Sequence, residues 1–267
     1  MSRLNIVENE KYFKYEVESP AAEDAPNMLF TTRRGGVSDG RYSSLNMGYS
    51  TADAKENIYK NRALVLDEFK LNIDRMVSSD QVHGTILRSV SSAKEDAGQC
   101  DGIFTCARQV VLSMYFADCT PLYFYDAAKS AIGLSHAGWR GTAGDIASMS
   151  IKFMESEYGS RAEDITAVIG PSIGPCCFEV GAEVTAEFED KLRNINVKEY
   201  ITAAEGGGGK HHIDLKSVNR ELLLKSGLKK ENIHTHLICT SCAGDVFYSY
   251  RRDRCDTGRM AALAFLN

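Results

Sequence analysis

The stretch from Val110 to Gly141 constrains the fold more than any other part of the chain. It holds three apolar runs, Val110 to Phe116, Pro121 to Tyr125 and Ala131 to Leu134, each of strand length and bounded by turn residues. Between and after them sit one thiol, Cys119, and one imidazole, His136. The only tryptophan, Trp139, follows between Gly138 and Arg140-Gly141. Strand ends that empty into glycine-rich turns are where a rigid sheet presents side chains to a site.

The flanking sequence supplies further elements. Tyr12 to Val17 alternates and suits an edge strand, Ser19 to Asn27 is a loop, and Met28 to Thr32 is a strand running into Arg33-Arg34-Gly35-Gly36. Such a turn is either an anion cradle or, on spacing alone, an ordinary turn with solvated arginines. Glu56 to Lys70 has helical spacing, with Tyr59, Ala63 and Leu66 on one face. Met76 to Gln81 is strand-like and leads to Gln81-Val82-His83-Gly84; Cys100-Asp101-Gly102 marks a turn. Asp145 caps a predicted helix to Tyr158, with Ile146, Met149 and Phe153 aligned. Ile165 to Ile169 is a strand that ends in the rigid loop Gly170 to Cys177, and a helix follows over Ala182 to Lys191. The four glycines Gly206 to Gly209 lack the spacing of a phosphate loop and read as an excursion. A helix from Asp214 to Lys225 stops at Gly227. Asn232 to Cys239 and Met260 to Leu266 are strands. Strands outnumber helices, with no repeat and no composition break, which predicts a single mixed α/β domain with helices covering the sheets.

The bulk numbers narrow the function. The 267 residues are 43% hydrophobic and 25% charged, with a net charge of −5, ordinary for a globular protein and unlike a dedicated nucleic-acid or anionic-membrane binder. No apolar run reaches 18 residues, and the polar opening MSRLNIVENEKYFKY lacks an apolar signal core, so the expected location is cytoplasmic, with no membrane partner. Eight cysteines in such a chain read as thiols or metal ligands rather than a disulfide frame.

His83, Cys119 and His136 form the candidate metal set. Zinc accepts imidazole nitrogen and thiolate sulfur, and a catalytic site uses three protein ligands with a fourth position open. The separations fit no compact zinc finger. Placement is what singles the set out: each member stands at a strand end beside Gly84, Pro121 or Gly138. Cys119 activated by His136 as a hydrolase nucleophile is the alternative. Cys239-x-x-Cys242 offers a redox pair or, with Cys176-Cys177, half of a structural zinc site, but reads most simply as structural thiols.

The strings QVHG (81–84), ADC-x-P (117–121), HAGWRG (136–141), IGPSIGPCCFEVG (169–181), CTSC (239–242) and FYSYRRD (247–253) occur in that order, after TTRRGGVS (31–38) and SLN (44–46). In this the chain resembles the laccase-domain family, named for multicopper polyphenol oxidases and described as zinc-dependent purine nucleoside phosphorylases with adenosine deaminase side activity. That family includes the peptidoglycan editing factor. The resemblance spans nearly the whole chain. It implies one domain over 1–267, of α/β class, with mixed sheets in a layered α/β/β/α arrangement. It also implies that His83, Cys119 and His136 are the zinc ligands. The chain departs from the family pattern at Phe116, at Ala243-Gly244 and after Asp253.

Copper is disfavoured by counting. A multicopper oxidase needs a histidine-rich cluster beside its mononuclear site, and only His211, His212, His234 and His236 remain for one. The resulting expectation is phosphorolysis of adenosine, inosine, guanosine or S-methyl-5'-thioadenosine. Arg33, Arg140 and Arg251 would hold phosphate, Asn46 would join the substrate site, and Asp118 would handle a proton. The open zinc position suits deamination of adenosine. The alternatives are a Cys-His or zinc hydrolase editing peptidoglycan precursors, a polyphenol oxidase, and a non-enzymatic binding module. The expected partners are the nucleoside and phosphate, with the chain a monomer or weak homodimer.

Overall fold

The structure is a computed structural model that describes residues 4–17, 25–205 and 208–267. Most of the loop expected at Ser19 to Asn27, and Gly206 and Gly207 of the glycine run, lie outside the described residues. The strands, in chain order, are β1 (Leu4–Glu8), β2 (Tyr12–Val17), β3 (Asn27–Thr31), β4 (Met76–Ser78), β5 (Leu87–Ser89), β6 (Gly102–Thr105), β7 (Val111–Phe116) and β8 (Thr120–Asp126). They continue with β9 (Ala131–Ala137), β10 (Thr166–Ile169), β11 (Glu179–Gly181), β12 (Ile201–Ala203), β13 (Lys210–Ile213), β14 (Ile233–Thr235) and β15 (Met260–Phe265). The helices are α1 (Lys55–Leu66), α2 (Trp139–Ala143), α3 (Ile146–Tyr158), α4 (Ala182–Lys191) and α5 (Leu215–Lys225).

Two six-stranded mixed sheets stack face to face. The first runs β1-β2-β3-β15-β7-β4 and the second β14-β10-β8-β9-β6-β5; β11-β13-β12 form a small third sheet. The side-chain period of two explains the stack. In β15, Met260, Ala262 and Ala264 enter a core between the sheets, where they meet Phe30, Tyr123 and Leu134. The alternate residues Ala261, Leu263 and Phe265 pack with Val65 and Leu66 of α1 on the outer side. In β8, Tyr123 and Tyr125 face the sheet-sheet core, while Leu122 and Phe124 face Ile151 of α3 and Leu222 of α5. Strands buried on both faces are apolar throughout, which is why the runs at 110–134 show no alternation. Each large side chain so buried contributes about 1.5–3 kcal/mol relative to exposure. The layers are therefore α/β/β/α, as expected.

Several local expectations are corrected. Tyr12–Val17 is not an edge strand, because β1 pairs along its outer side. The buried face of α1 is Ile58, Asn61, Arg62, Val65 and Leu66, and Tyr59 is exposed. Polar groups select that face: Asn61 bonds the main chain of Val37 and Asn46, and Arg62 bonds the carbonyl of Met47. In α3, Met149 is exposed and Met154 is buried instead. The strands expected at 76–81 and 232–239 stop at Ser78 and Thr235, leaving irregular chain to carry His83 and Cys239. Asp145 and Asp214 cap α3 and α5 as predicted, accepting from the N–H groups of Ser148 and Ser217.

Candidate metal centre

The β8–β9 hairpin supplies two of the three ligand candidates. Pro121 lies opposite His136 in its register, so Cys119, two residues before Pro121, falls on the His136 side of the sheet end. Asp118, which leads into Cys119, has φ +89°. His83 arrives from the irregular chain after β4 and has φ +59°. Neither is glycine, and left-handed backbone of this kind costs about 1–3 kcal/mol per residue and collects at functional sites. One ligand atom from each of His83, Cys119 and His136 lies within 4.8 Å of the others. The two imidazole rings stand edge to face at 4.9 Å.

Asp101, which its sequence context marks only as a turn residue, builds this geometry. Its carboxylate is fully buried and accepts the main-chain N–H groups of Val82 (3.3 Å), His83 (3.0 Å) and Gly84 (2.6 Å). It also lies 2.9 Å from His136 Nδ1. One carboxylate thus shapes the turn bearing His83 and orients the ring of His136, leaving His136 Nε2 to face Cys119 and His83. This is the carboxylate–histidine support that metal sites use. Only an acidic residue just before a buried strand could have signalled it.

The electrostatics follow from packing. Burial alone would raise the Cys119 thiol, but the charge of His136 and hydrogen bonds from His136 and His83 outweigh it and draw the thiol down. Burial alone would lower His136; the Cys119 thiolate and the Asp101 carboxylate reverse this and raise it. Burial likewise opposes ionisation of Asp101, and the bonds from His136 and Gly84 hold it below the usual carboxylate range. The site therefore favours thiolate, the form that binds a metal. Gly138 leaves room for it: a Cβ there would stand 3.1 Å from Cys119 Sγ and 3.3 Å from His83 Cδ2.

The three side chains open onto a cavity of about 910 Å³. Its walls carry the rings of Trp139, Phe178 and Tyr250 and the guanidinium groups of Arg62, Arg140, Arg251 and Arg259. The Arg140 guanidinium stacks on Trp139 at 4.3 Å and makes no side-chain hydrogen bond or ion pair among the described residues, so its donors are available. Arg251 is braced by the carbonyls of Cys177 (3.2 Å) and Glu179 (2.7 Å). Arg62 and Arg259 are arginines the sequence reading missed; both bond main-chain carbonyls at the cavity wall.

Other expected site residues fall elsewhere. Arg33 does not line the cavity: it bonds the carbonyls of Ser43 and Gly244 and lies over Tyr248. Asn46 is buried behind the wall, bonded to Thr51 and Asp53, and accepts the N–H of Arg259 at 2.9 Å. Asp118 lines the cavity, yet both its oxygens are engaged, one by Thr240 Oγ1 (2.7 Å), the other by Ser249 Oγ (2.9 Å) and the N–H of Arg251 (2.8 Å). Among the described residues the four remaining histidines join no metal-ligating group; His236 packs against Phe13 and Tyr15 in the core, and His211 and His212 lie in β13.

The chain belongs to the multi-copper polyphenol oxidoreductase laccase family, whose pattern it matches over residues 27–267. Among its relatives is the purine nucleoside phosphorylase YlmD of Bacillus subtilis, 38% identical over 86% of this chain and 85% of that protein. Another is a purine nucleoside phosphorylase of Bacteroides thetaiotaomicron, 32% identical over 96% and 97%. The crystal structure of YlmD from Geobacillus stearothermophilus superposes with a TM-score of 0.87 at 33% identity, covering 98% of each chain.

Proposed function

We propose that this chain is a zinc-dependent purine nucleoside phosphorylase that also deaminates adenosine. The observation that carries the reading is the convergence of His83, Cys119 and His136 in a cavity walled by aromatic rings and arginines. The phosphorylase names of the relatives support the reaction class. The donor set fits zinc: His83 and His136 would supply imidazole nitrogens and Cys119 a thiolate, at the wall of the cavity. When bound, zinc supplies Lewis acidity there. Copper oxidation fits less well, because the other histidines do not gather into a second cluster.

The residues of the chain then divide the work. Arg140, with free donors, binds phosphate, and Arg251 provides a second, pre-positioned cation. The rings of Trp139, Phe178 and Tyr250 give the purine surfaces to stack on. A phosphate oxygen attacks the anomeric carbon, the glycosidic C–N bond breaks with its electron pair going to the base, and ribose 1-phosphate leaves. Asp101 orients His136. Asp118, first expected to handle a proton, is better suited by its contacts to positioning Arg251. Arg33 and Asn46 act behind the wall rather than on substrate. The reading treats residues 1–267 as one domain of a cytoplasmic monomer or weak homodimer, checked by fractionation and light scattering.

One observation favours a second reading. A thiol drawn down beside an imidazole raised by it is also the ground state of a Cys–His hydrolase, for which the family resemblance suggests peptidoglycan precursors as substrates. Replacing Cys119 by Ala and assaying adenosine with phosphate tests the primary reading. The expected result is loss of both adenine and ammonia release; undiminished release discards the zinc centre. Turnover of a nucleotide-linked muramyl amino acid by the metal-free wild type, without nucleoside turnover, selects the hydrolase.

A further inference from the structure

A second group of potential metal ligands lies in the described residues, outside the centre above. The Sγ atoms of Cys176, Cys177, Cys239 and Cys242 all lie within 4.8 Å of one another. We propose that these four thiols hold a second zinc ion in a closed, structural tetrathiolate site that pins the cavity wall bearing Phe178 and Arg251. The inference does not depend on the activity proposed above.

Topology brings the cysteines together. β10 and β14 are parallel neighbours and end on the same side of the sheet. Beyond them the pairing resumes for one step at Ser172 and Cys239. Each chain then turns, the first at Gly174, whose carbonyl accepts the N–H groups of Cys177 and Phe178, the second at Cys239, whose carbonyl accepts from Ala243. On an extended strand Cys176 and Cys177 would point to opposite faces. The turn lets both face Cys242, at 3.5 and 3.4 Å between sulfurs.

Those separations suit an ion and not a bond. A disulfide needs about 2.05 Å. A tetrahedron with zinc–sulfur distances of about 2.3 Å has edges of about 3.8 Å. The shell is also supported as thiolate sites are. The N–H of Gly174 points at Cys239 Sγ from 3.1 Å, and a Cβ on Gly174 would stand 3.2 Å from Cys239 Cβ and 3.3 Å from Cys176 Sγ.

Four thiolates around a divalent ion leave two net negative charges, and the buried Lys216 ammonium is placed to offset part of them. Lys216 is buried at 4% exposure, its ammonium bonded to the carbonyls of Ser172 (3.1 Å) and Ile238 (3.5 Å), which lie just before the two turns. It also donates to Ser172 Oγ (3.4 Å), so its hydrogen-bond partners are all neutral oxygens, a costly setting for a buried ammonium that a nearby dianionic cluster offsets. Arg252, whose charge is met by the Asp253 carboxylate at 2.8 Å, braces the Cys239–Cys242 turn by donating to the carbonyls of Thr240 and Ser241, both at 3.2 Å. With four protein ligands the second ion has no open position, so its role is to hold the turns together.

The test is the zinc content of the full-length chain, purified under reducing conditions in zinc-supplemented medium. The Cys119→Ala protein should retain one zinc per chain, and its X-ray absorption should show about four sulfurs at about 2.3 Å. Cys176→Ser with Cys242→Ser should lose that ion. A Cys119→Ala protein without zinc, or whose zinc shell contains nitrogen, overturns the proposal. So does an intact mass four hydrogens short, the signature of two disulfides. If the double serine variant fails to fold, the Cys119→Ala measurement decides alone, because it leaves all four thiols in place. One zinc that survives Cys119→Ala upholds the second site even if the first proves metal-free.

Discussion

The two groups of side chains that could hold a metal are built from similar atoms in opposite ways. His83, Cys119 and His136 converge from two elements far apart in sequence, through left-handed backbone at His83 and Asp118, around the buried Asp101 carboxylate. Cys176, Cys177, Cys239 and Cys242 lie on two turns that continue a parallel strand pair, at the surface, with no strained residue among them. The first arrangement opens onto a cavity; in the second the four thiols face one another. Left-handed backbone at His83 and Asp118 carries the first group, and ordinary turns carry the second.

The contrast is sharpest at Cys119, whose replacement should cause the largest loss, removing turnover while leaving the four-cysteine cluster intact. At Asp101, Asp101→Asn should weaken zinc binding at the first centre about 10–100-fold. The new NH₂ would face donors, because the carboxylate accepts from Val82, His83, Gly84 and His136. Metal titration measures this, and an unchanged affinity would mean that the centre is not pre-organised by Asp101. Arg140→Ala should raise the KM for phosphate about tenfold, as expected for one charge-assisted contact of about 1.5 kcal/mol, and leave metal content alone. A KM that does not move would transfer the phosphate to Arg251.

The smallest expected effect lies outside both clusters. Burial, aided by the charge of Lys216, pulls His236 from 6.5 to about 4. Between those values the unfolded chain takes up a proton that the native state refuses, so stability falls as pH drops from about 6.5 toward 4. His236→Gln should flatten that acid limb in chemical unfolding curves. A limb of unchanged slope would show that other groups govern it.

What was legible in the sequence followed periodicity and punctuation. The core strands, the caps Asp145 and Asp214, and the helix Ala182–Lys191 could be read because local chemistry decides them. The buried faces of α1 and α3 could be read only in part: Leu66 and Ile146 are buried as expected, whereas Asn61, Arg62 and Met154 join them through the fold. The ligand triad stood out by strand-end placement and family resemblance. Asp101 did not, since its value lies in four donors that only the fold assembles. The same holds for Arg33 and Asn46: their motifs draw attention, but hydrogen bonds to the backbone behind the cavity absorb them.

The account rests most directly on whether nucleoside cleavage needs the open centre. Protein stripped by a chelator, then assayed with adenosine and phosphate before and after zinc is restored, measures this. The account predicts no products when stripped and equal amounts of adenine and ribose 1-phosphate after restoration. Equal yields with and without zinc, or no ribose 1-phosphate from the zinc-loaded protein, would contradict it.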